Sequence, residues 1–209
     1  MYRMRAIDEY VEDAAADRPA PGGGSVSALA GALAAAMSAM AANFTAGKEK
    51  FADVEERVRE MLDELDFCRE ALLQLMDRDV EAYGAVSEAY SLPKDTEEHK
   101  ASRAEEVDRA LRSAMEVPLD VMHQCARVAD VARELVDVGN PNLITDVGVS
   151  AILAEAACAA ARLNVAVNLK FLRAPELRER TEAEMDRLTE TVSECREQVG
   201  GKVAHYLSE

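Results

Sequence analysis

The chain has 209 residues, a net charge of −16 and a hydrophobic content of 49%. This length and apolar content suit one domain, 1–209, with a sizeable core, and they argue against wholesale disorder. Because 40 acidic residues outnumber 24 basic ones, the composition disfavours a nucleic-acid partner and adhesion to a membrane surface of anionic lipid.

Hydrophobic periodicity and helix-breaking residues predict six helices in chain order and no sheet. The predicted ranges are 7–15, 25–46, 54–90, 96–138, 142–172 and 176–207. Proline- or glycine-containing turns separate most of them, and Pro118 either kinks the fourth helix or divides it in two. Since runs of alternating β-branched residues are missing, we predict an all-α, single-domain bundle.

We expect a cytoplasmic protein without a metal centre. The N-terminus turns acidic before an apolar signal region forms, and the longest apolar stretch, 26–42, is short for a membrane span. The four cysteines are scattered, without a CxxC pair or a histidine nearby, which favours buried free thiols over a zinc site. The acidity also fits adaptation to high salt, which composition does not distinguish from an ordinary acidic cytosolic protein.

One acidic residue lies on the apolar face of the predicted third helix. Asp79 shares the apolar stripe, whereas Asp77 falls on the opposite, charged face. The stripe consists of Val58, Met61, Leu65, Cys68, Leu72, Met76, Tyr83, Val86 and Tyr90. An apolar environment raises the pKa of a carboxyl, which suits proton transfer near neutrality. Asp79 is therefore our catalytic candidate, although a structural ion pair or a buried capping carboxylate explains the pattern equally well.

The predicted fifth helix carries buried polar groups. Between Val147 and Leu169 only Glu155 and Arg162 are charged, while other polar residues share one stripe. That stripe contains Asp146, Ser150, Asn164 and Asn168. Buried amides need hydrogen-bonding partners, which either a ligand or a neighbouring helix supplies, and the residues alone favour the neighbouring helix. Asp146 lies in the first turn, where its charge also favours the positive end of the helix.

A glycine-rich turn precedes the predicted second helix. Gly22, Gly23 and Gly24 allow the backbone to approach a ligand closely, and Ser25 is the predicted N-cap. The free amides of such a helix start favour an anion. A glycine triplet alone is weak evidence, because it is usually a flexible connection.

Three blocks, in this order along the chain, are similar to one known family. They read APGGGSVSALAGALAAAMSAMAANFTAGKEKF, then LMDRDVEAYGAV with SLPKDT downstream, then GNPNLITDVGVSAILAEAACAAARLNVAVNLKFL. Together they resemble the cyclodeaminase/cyclohydrolase family of folate enzymes. That family includes the C-terminal half of formiminotransferase-cyclodeaminase and stand-alone methenyltetrahydrofolate cyclohydrolases. The likeness spans nearly the whole chain, so we expect no formiminotransferase domain.

The resemblance implies an all-α fold that forms homodimers or higher oligomers, with a folate pocket close to the subunit contact. It implies no metal and no redox cofactor. By register, the family's catalytic aspartate corresponds to Asp79, which helical periodicity selects independently. The matching positions suited to substrate binding are Gly22, Gly23, Gly24, Ser25, Lys48, Asp146, Asn164 and Asn168. Lys48 or the glycine turn then holds the anionic glutamyl tail of the folate.

Three functions follow from these expectations. The first is a formiminotetrahydrofolate cyclodeaminase, which converts 5-formiminotetrahydrofolate to 5,10-methenyltetrahydrofolate and ammonia. The alternative is a methenyltetrahydrofolate cyclohydrolase, which adds water to the methenyl bridge to give 10-formyltetrahydrofolate; the lack of a transferase partner favours it. The third is an acidic helical scaffold without catalysis, against which the retained Asp79 and glycine turn argue.

Overall fold

The computed structural model describes residues 1–209, and it contains six α-helices and no β-strand. The helices are α1 (Ile7–Ala15), α2 (Gly23–Asn43), α3 (Glu55–Ser91), α4 (Glu97–Val138), α5 (Ile144–Phe171) and α6 (Pro175–Ser208). Short 3₁₀ helices at Tyr2–Met4, Glu49–Val54 and Pro141–Leu143 precede α1, α3 and α5. The all-α prediction is confirmed, and each of the six predicted helices is present.

Helix α2 lies in the centre of the bundle, packed against α3, α4 and α5. Its small side chains allow these helices to approach closely, and Ala28, Ala34 and Ala35 are fully buried. A Cβ added to Gly31 would lie 3.0 Å from both Cys125 Sγ and a methyl carbon of Leu72. The alanine-rich composition of α2 therefore sets the spacing of the core, because larger side chains would force the helices apart.

Helices α2 and α5 run antiparallel. Ser150 Oγ accepts a hydrogen bond from Ser38 Oγ at 2.7 Å and donates one to the Ala34 carbonyl, also at 2.7 Å. At the other end of the pair, a Cβ added to Gly23 would lie 3.2 Å from the Asn164 side chain. The start of α2 therefore lies beside the last turns of α5.

Pro118 does not divide the fourth predicted helix, which is continuous from Glu97 to Val138. Proline lacks an N–H, so the Ala114 carbonyl one turn earlier loses its helical hydrogen bond. Asn168 Nδ2 on α5 donates to this carbonyl oxygen at 3.1 Å. An amide from a neighbouring helix thus compensates for the proline. This agrees with the hypothesis that the buried amides of α5 form hydrogen bonds to another helix.

Two segments are long and apolar enough to cross a membrane by length and composition alone. They are α2 and Pro141–Phe171, which contains α5, and each has a mean hydropathy of 1.6. However, 61% of the apolar window of α2 is buried inside the bundle, which identifies it as a core helix. The corresponding window of α5 is 39% buried, because its outer stripe faces away from the other helices.

Candidate active site

A cavity of about 640 Å³ lies where the start of α2 meets the second half of α3 and the last turns of α5. The glycine turn and Asp79 form one side, and apolar and aromatic side chains form most of the remainder. Its lining residues are Pro19, Gly22, Gly23, Gly24, Asp79, Ala82, Tyr83, Val86, Tyr90, Leu111, Ala114, Asn164, Val167, Asn168 and Phe171. An apolar concave site with a few converging polar groups is typical of small-molecule binding.

The Asp79 carboxylate caps the first turn of α2 from the neighbouring helix. Its Oδ2 accepts a hydrogen bond from the backbone N–H of Ser25 at 2.9 Å. The helix begins at Gly23, so this amide belongs to the first turn, whose N–H groups lack partners within the helix. Asp79 thus occupies the position that an anion takes at a helix N-terminus, at the edge of the cavity.

Ser25 is not the N-cap, contrary to the sequence prediction. The N-cap is Gly22, whose extended backbone precedes a helix that starts two residues before Ser25. The Ser25 hydroxyl instead makes a buried hydrogen bond of 3.0 Å with the phenol of Tyr10 on α1. Since Tyr10 is only 5% exposed, this buried contact fixes the start of α2 against α1.

Gly24 is the position at which only glycine fits. A Cβ added there would lie 2.0 Å from Asp79 Oδ1 and 2.5 Å from Asp79 Cγ. Real side chains do not approach so closely, so any other residue would displace the carboxylate. Gly22, by contrast, has only a backbone oxygen at 4.0 Å from an added Cβ. The sequence predicts a close approach of the glycine turn to a ligand, whereas the close approach in the structure is that of Gly24 to the Asp79 carboxylate.

Of the two aspartates of α3, Asp77 does not lie on the exposed, charged face that the helical pattern predicts. Asp77 is buried, 8% exposed, because the N-terminal segment folds over it. The backbone N–H of Tyr2 donates to Asp77 Oδ1 at 2.5 Å, and Arg3 Nε lies 3.5 Å from Oδ2. Asp77 therefore holds the N-terminal segment, a structural role. Asp79 is the aspartate that lines the cavity.

The pKa of Asp79 is shifted in the direction that the sequence predicts. Burial raises the pKa of the carboxyl above its ordinary value of 3.8, and the hydrogen bond from the Ser25 amide lowers it by a smaller amount. A cation within ion-pairing distance would have lowered the pKa of this desolvated carboxyl, but Asp79 has no such partner. A carboxyl with a raised pKa is a better proton acceptor than an exposed one, which suits a role in proton transfer.

Asn164 and Asn168 both line the cavity, but their amide groups already have backbone partners. Asn164 Nδ2 donates to the Ala160 carbonyl at 2.9 Å, and Asn168 Nδ2 donates to the carbonyls of Ala114 and Asn164. With the amide nitrogens so engaged, the side-chain oxygens are the atoms of these residues available to accept hydrogen bonds from a ligand.

Lys48 and Asp146 do not join this cavity within one chain. Lys48 follows the C-terminal end of α2, about 30 Å along the 21-residue helix from the glycine turn. Asp146 lies in the first turn of α5, about 27 Å along the helix from Asn164. Because α2 and α5 are antiparallel, both residues lie at the end of the bundle opposite Asp79.

The structure adds aromatic residues that the sequence did not select as site residues. Tyr83 and Tyr90 belong to the apolar stripe of α3, yet they are 49% and 44% exposed and line the cavity together with Phe171. From Asp79 onwards the stripe faces this cavity rather than the core. The only sequence signal was the change from aliphatic residues to tyrosine along the stripe, since a phenol keeps one polar atom accessible.

The cysteines and acidic residues form no metal site. No group of three or more His, Cys, Asp or Glu side chains is arranged to hold a metal ion. Cys68, Cys125, Cys158 and Cys195 are buried free thiols, as predicted. Burial raises the pKa of Cys68 and Cys195 to about 11 each, so both thiols stay protonated near neutrality.

Comparison with known proteins shows the family to which the chain belongs. The profile of a family described as Formiminotransferase-cyclodeaminase matches residues 6–187. The chain belongs to the formiminotransferase-cyclodeaminase family. A methenyltetrahydrofolate cyclohydrolase of Methylorubrum extorquens is 40% identical over 166 residues, which is 79% of this chain and 80% of that protein.

Two further proteins are similar to this chain, one in sequence and one in three-dimensional structure. The formimidoyltransferase-cyclodeaminase of Mus musculus is 33% identical over 82% of this chain, but the match covers only 32% of the mouse protein. The crystal structure of a formiminotetrahydrofolate cyclodeaminase from Thermotoga maritima superposes with a TM-score of 0.90 at 28% identity. That superposition covers 99% of this chain and 100% of the Thermotoga chain. The family resemblance read from the sequence is confirmed.

Asp79→Asn is expected to change how stability depends on pH. Because the pKa of Asp79 is raised in the folded chain, the folded state holds this proton to higher pH than the unfolded state does. The contribution of Asp79 to the free energy of unfolding therefore falls as pH rises above 3.8. Urea unfolding between weakly acidic and neutral pH should show Asp79→Asn gaining stability relative to wild type with rising pH.

Asp63→Asn is the matched control, since Asp63 is an exposed residue of α3 without an ion pair. Its stability difference from wild type should stay constant over the same pH range. A pH-independent difference for Asp79→Asn would contradict the raised pKa.

Proposed function

We propose that this chain is a one-carbon folate enzyme that acts at the 5,10-methenyl bridge of tetrahydrofolate, with Asp79 transferring the proton. The observation that carries the proposal is the half-buried Asp79 carboxylate, held against the start of α2 at the edge of a 640 Å³ cavity. Its raised pKa and the tyrosine-lined walls suit proton transfer on a flat heteroaromatic substrate. Family membership supplies the substrate class.

The cyclohydrolase reaction is our first assignment. A stand-alone methenyltetrahydrofolate cyclohydrolase is matched over 80% of its length at 40% identity, whereas the formimidoyltransferase-cyclodeaminases are matched over about a third of theirs. In this reaction water attacks the bridge carbon and gives its proton to the Asp79 carboxylate. As the bond from this carbon to N5 breaks, Asp79 passes its proton to N5, and the remaining hydroxyl proton leaves to solvent as the formyl carbonyl of 10-formyltetrahydrofolate forms. The anionic carboxylate also stabilises the cationic methenyl bridge.

The cyclodeaminase reaction, which the sequence placed first, is the second assignment. It is supported by the superposition on a formiminotetrahydrofolate cyclodeaminase along the whole chain. Here N10 attacks the formimino carbon, the N10 proton and one further proton pass to the departing nitrogen, and ammonia is expelled to leave the cationic methenyl bridge. One carboxyl that alternates between its two protonation states serves both transfers.

A homodimer formed through α2 and α5 would bring Lys48 and Asp146 to the cavity. These helices expose apolar side chains on their outer stripes, among them Leu33 at 51%, Ile152 at 57% and Leu163 at 72%. A two-fold axis across the middle of α2 places the Lys48 end of one chain beside the Asp79 end of its partner. Large apolar side chains exposed on two packed helices favour a protein interface, and we extend the proposal to a cytoplasmic homodimer.

Spectroscopy of the methenyl chromophore tests the two assignments. Purified protein is given 5,10-methenyltetrahydrofolate in one cuvette and 5-formiminotetrahydrofolate in another, near neutral pH and over a range of salt. We expect the chromophore to disappear from the first faster than from a buffer blank. Appearance of chromophore with ammonia in the second cuvette would assign the cyclodeaminase, and silence in both would favour a scaffold without catalysis.

Asp79→Asn should lower kcat by about 10²–10⁴ while the protein stays folded, because the amide cannot accept the proton. Asp63→Asn, on the exposed face of the same helix, should keep wild-type kcat. Equal kcat in wild type and Asp79→Asn, with unchanged circular dichroism, would remove Asp79 from the mechanism.

Gly24→Ala should lower kcat/KM by roughly 10²-fold, because the added methyl group displaces the carboxylate from the Ser25 amide. Gly84→Ala on α3 is the control, since Gly84 is also helical, does not line the cavity, and an added Cβ there meets nothing within 4 Å. The two variants share the same change in composition and backbone freedom. Similar rates for both would show that the close approach of Gly24 to Asp79 does not matter for turnover.

The dimer makes two measurable predictions. Wild type should sediment at twice the chain mass of 22.7 kDa, and Leu163→Arg should sediment as a monomer. Ile7→Arg, an equally drastic change at an exposed residue of α1, should leave the dimer intact.

Mixed dimers test the shared site. Asp79→Asn and Lys48→Ala should each be nearly inactive, and a re-equilibrated equal mixture should regain roughly a quarter of wild-type activity. That recovery arises because a mixed dimer contains one intact site. No recovery on mixing would contradict the contribution of Lys48 from the partner chain.

A further inference from the structure

A groove of about 280 Å³ continues from the cavity and carries two arginines. It shares Tyr90, Leu111 and Phe171 with the cavity, so the two spaces adjoin. Arg103 on α4 and Arg173, just after α5, lie on its walls. A ligand bound against Asp79 can therefore extend past Tyr90 into the groove and reach the two guanidinium groups.

These arginines differ from most others in the chain because neither has an acidic partner. The net charge is −16, and most arginines form an ion pair with an Asp or Glu within 4.0 Å. The one carboxylate on the groove wall, Asp108, is engaged by Arg112 at 2.7 Å. In so acidic a chain, two cations left without carboxylates beside a cavity form a site for an external anion.

Arg103 is held in a fixed position. Its Nε and Nη2 donate to the Tyr90 carbonyl at 3.3 and 3.0 Å, and its guanidinium lies 5.5 Å from the centre of the Tyr90 ring. The Nη1 donors stay available to a ligand. An arginine fixed in advance loses less side-chain entropy when it binds a carboxylate.

We propose that Arg103 and Arg173 bind the carboxylates of the γ-linked glutamyl tail of the folate and determine the preference for polyglutamate. This inference rests on the proposed function. It assigns the glutamates beyond the first to α4 and the end of α5, and it leaves the first glutamate to Lys48 or the glycine turn. The pteridine end then faces Asp79, and the tail leaves the cavity along the groove.

The test compares substrates with and without the tail. KM and kcat are measured for wild type, Arg103→Gln, Arg173→Gln and the double variant. The substrates are methenyl derivatives of tetrahydropteroate, which lacks glutamate, and of tetrahydrofolate with one or several glutamates. We expect each single substitution to raise KM for the polyglutamate about tenfold. KM for the pteroate substrate, and kcat for all substrates, should not change.

Arg180→Gln is the matched control, because Arg180 is an exposed arginine of α6 outside the groove and without an ion pair. It changes the net charge equally and should leave the KM ratio between polyglutamate and pteroate unchanged. Added salt should raise the wild-type KM for the polyglutamate and affect the double variant less.

Three results would overturn the inference. They are an unchanged KM ratio in the double variant, an equal change with Arg180→Gln, and a lowered melting temperature of Arg103→Gln with an unaltered ratio. The last would leave Arg103 as a cap for the end of α3. Wild-type turnover of the pteroate substrate tests the proposed function separately, so that function can stand even if the arginines prove irrelevant.

Discussion

The contact between the Asp79 carboxylate and the first turn of α2 is the interaction on which the site depends. Asp79 supplies the acceptor that the Ser25 amide lacks within its own helix, and the amide in turn fixes the orientation of the carboxylate. Gly24 permits this approach because a Cβ would overlap the carboxyl group. The catalytic candidate is thus positioned by backbone, which is more rigid than a second side chain.

Two opposing effects set the protonation of this carboxyl. Burial in an apolar setting disfavours the charged form, while the amide hydrogen bond favours it, and burial has the larger effect on its pKa. A guanidinium beside Asp79 would have reversed the balance and fixed the carboxylate as an anion. The arrangement leaves Asp79 able to alternate between its two states, which both proposed reactions require.

The bundle supports this site through small residues and compensating hydrogen bonds. Fully buried alanines let α2 lie close to three other helices, and the serine pair at Ser38 and Ser150 ties α2 to α5. Asn168 shows how structure and site are linked. It satisfies the carbonyl that Pro118 leaves without a partner, and it also lines the cavity. Its conformation is therefore set by the bundle before a ligand binds.

The sequence by itself determined the six helices, the family and the choice of Asp79, because periodicity, helix-breaking turns and motif spacing are all local properties of the chain. Only the tertiary structure decided the surroundings of each residue. The buried state of Asp77 depends on an N-terminal segment far away in sequence, and the true start of α2 depends on tertiary contacts to Ser25. The distance of Lys48 and Asp146 from Asp79 follows from the antiparallel packing of α2 and α5, which no local pattern encodes.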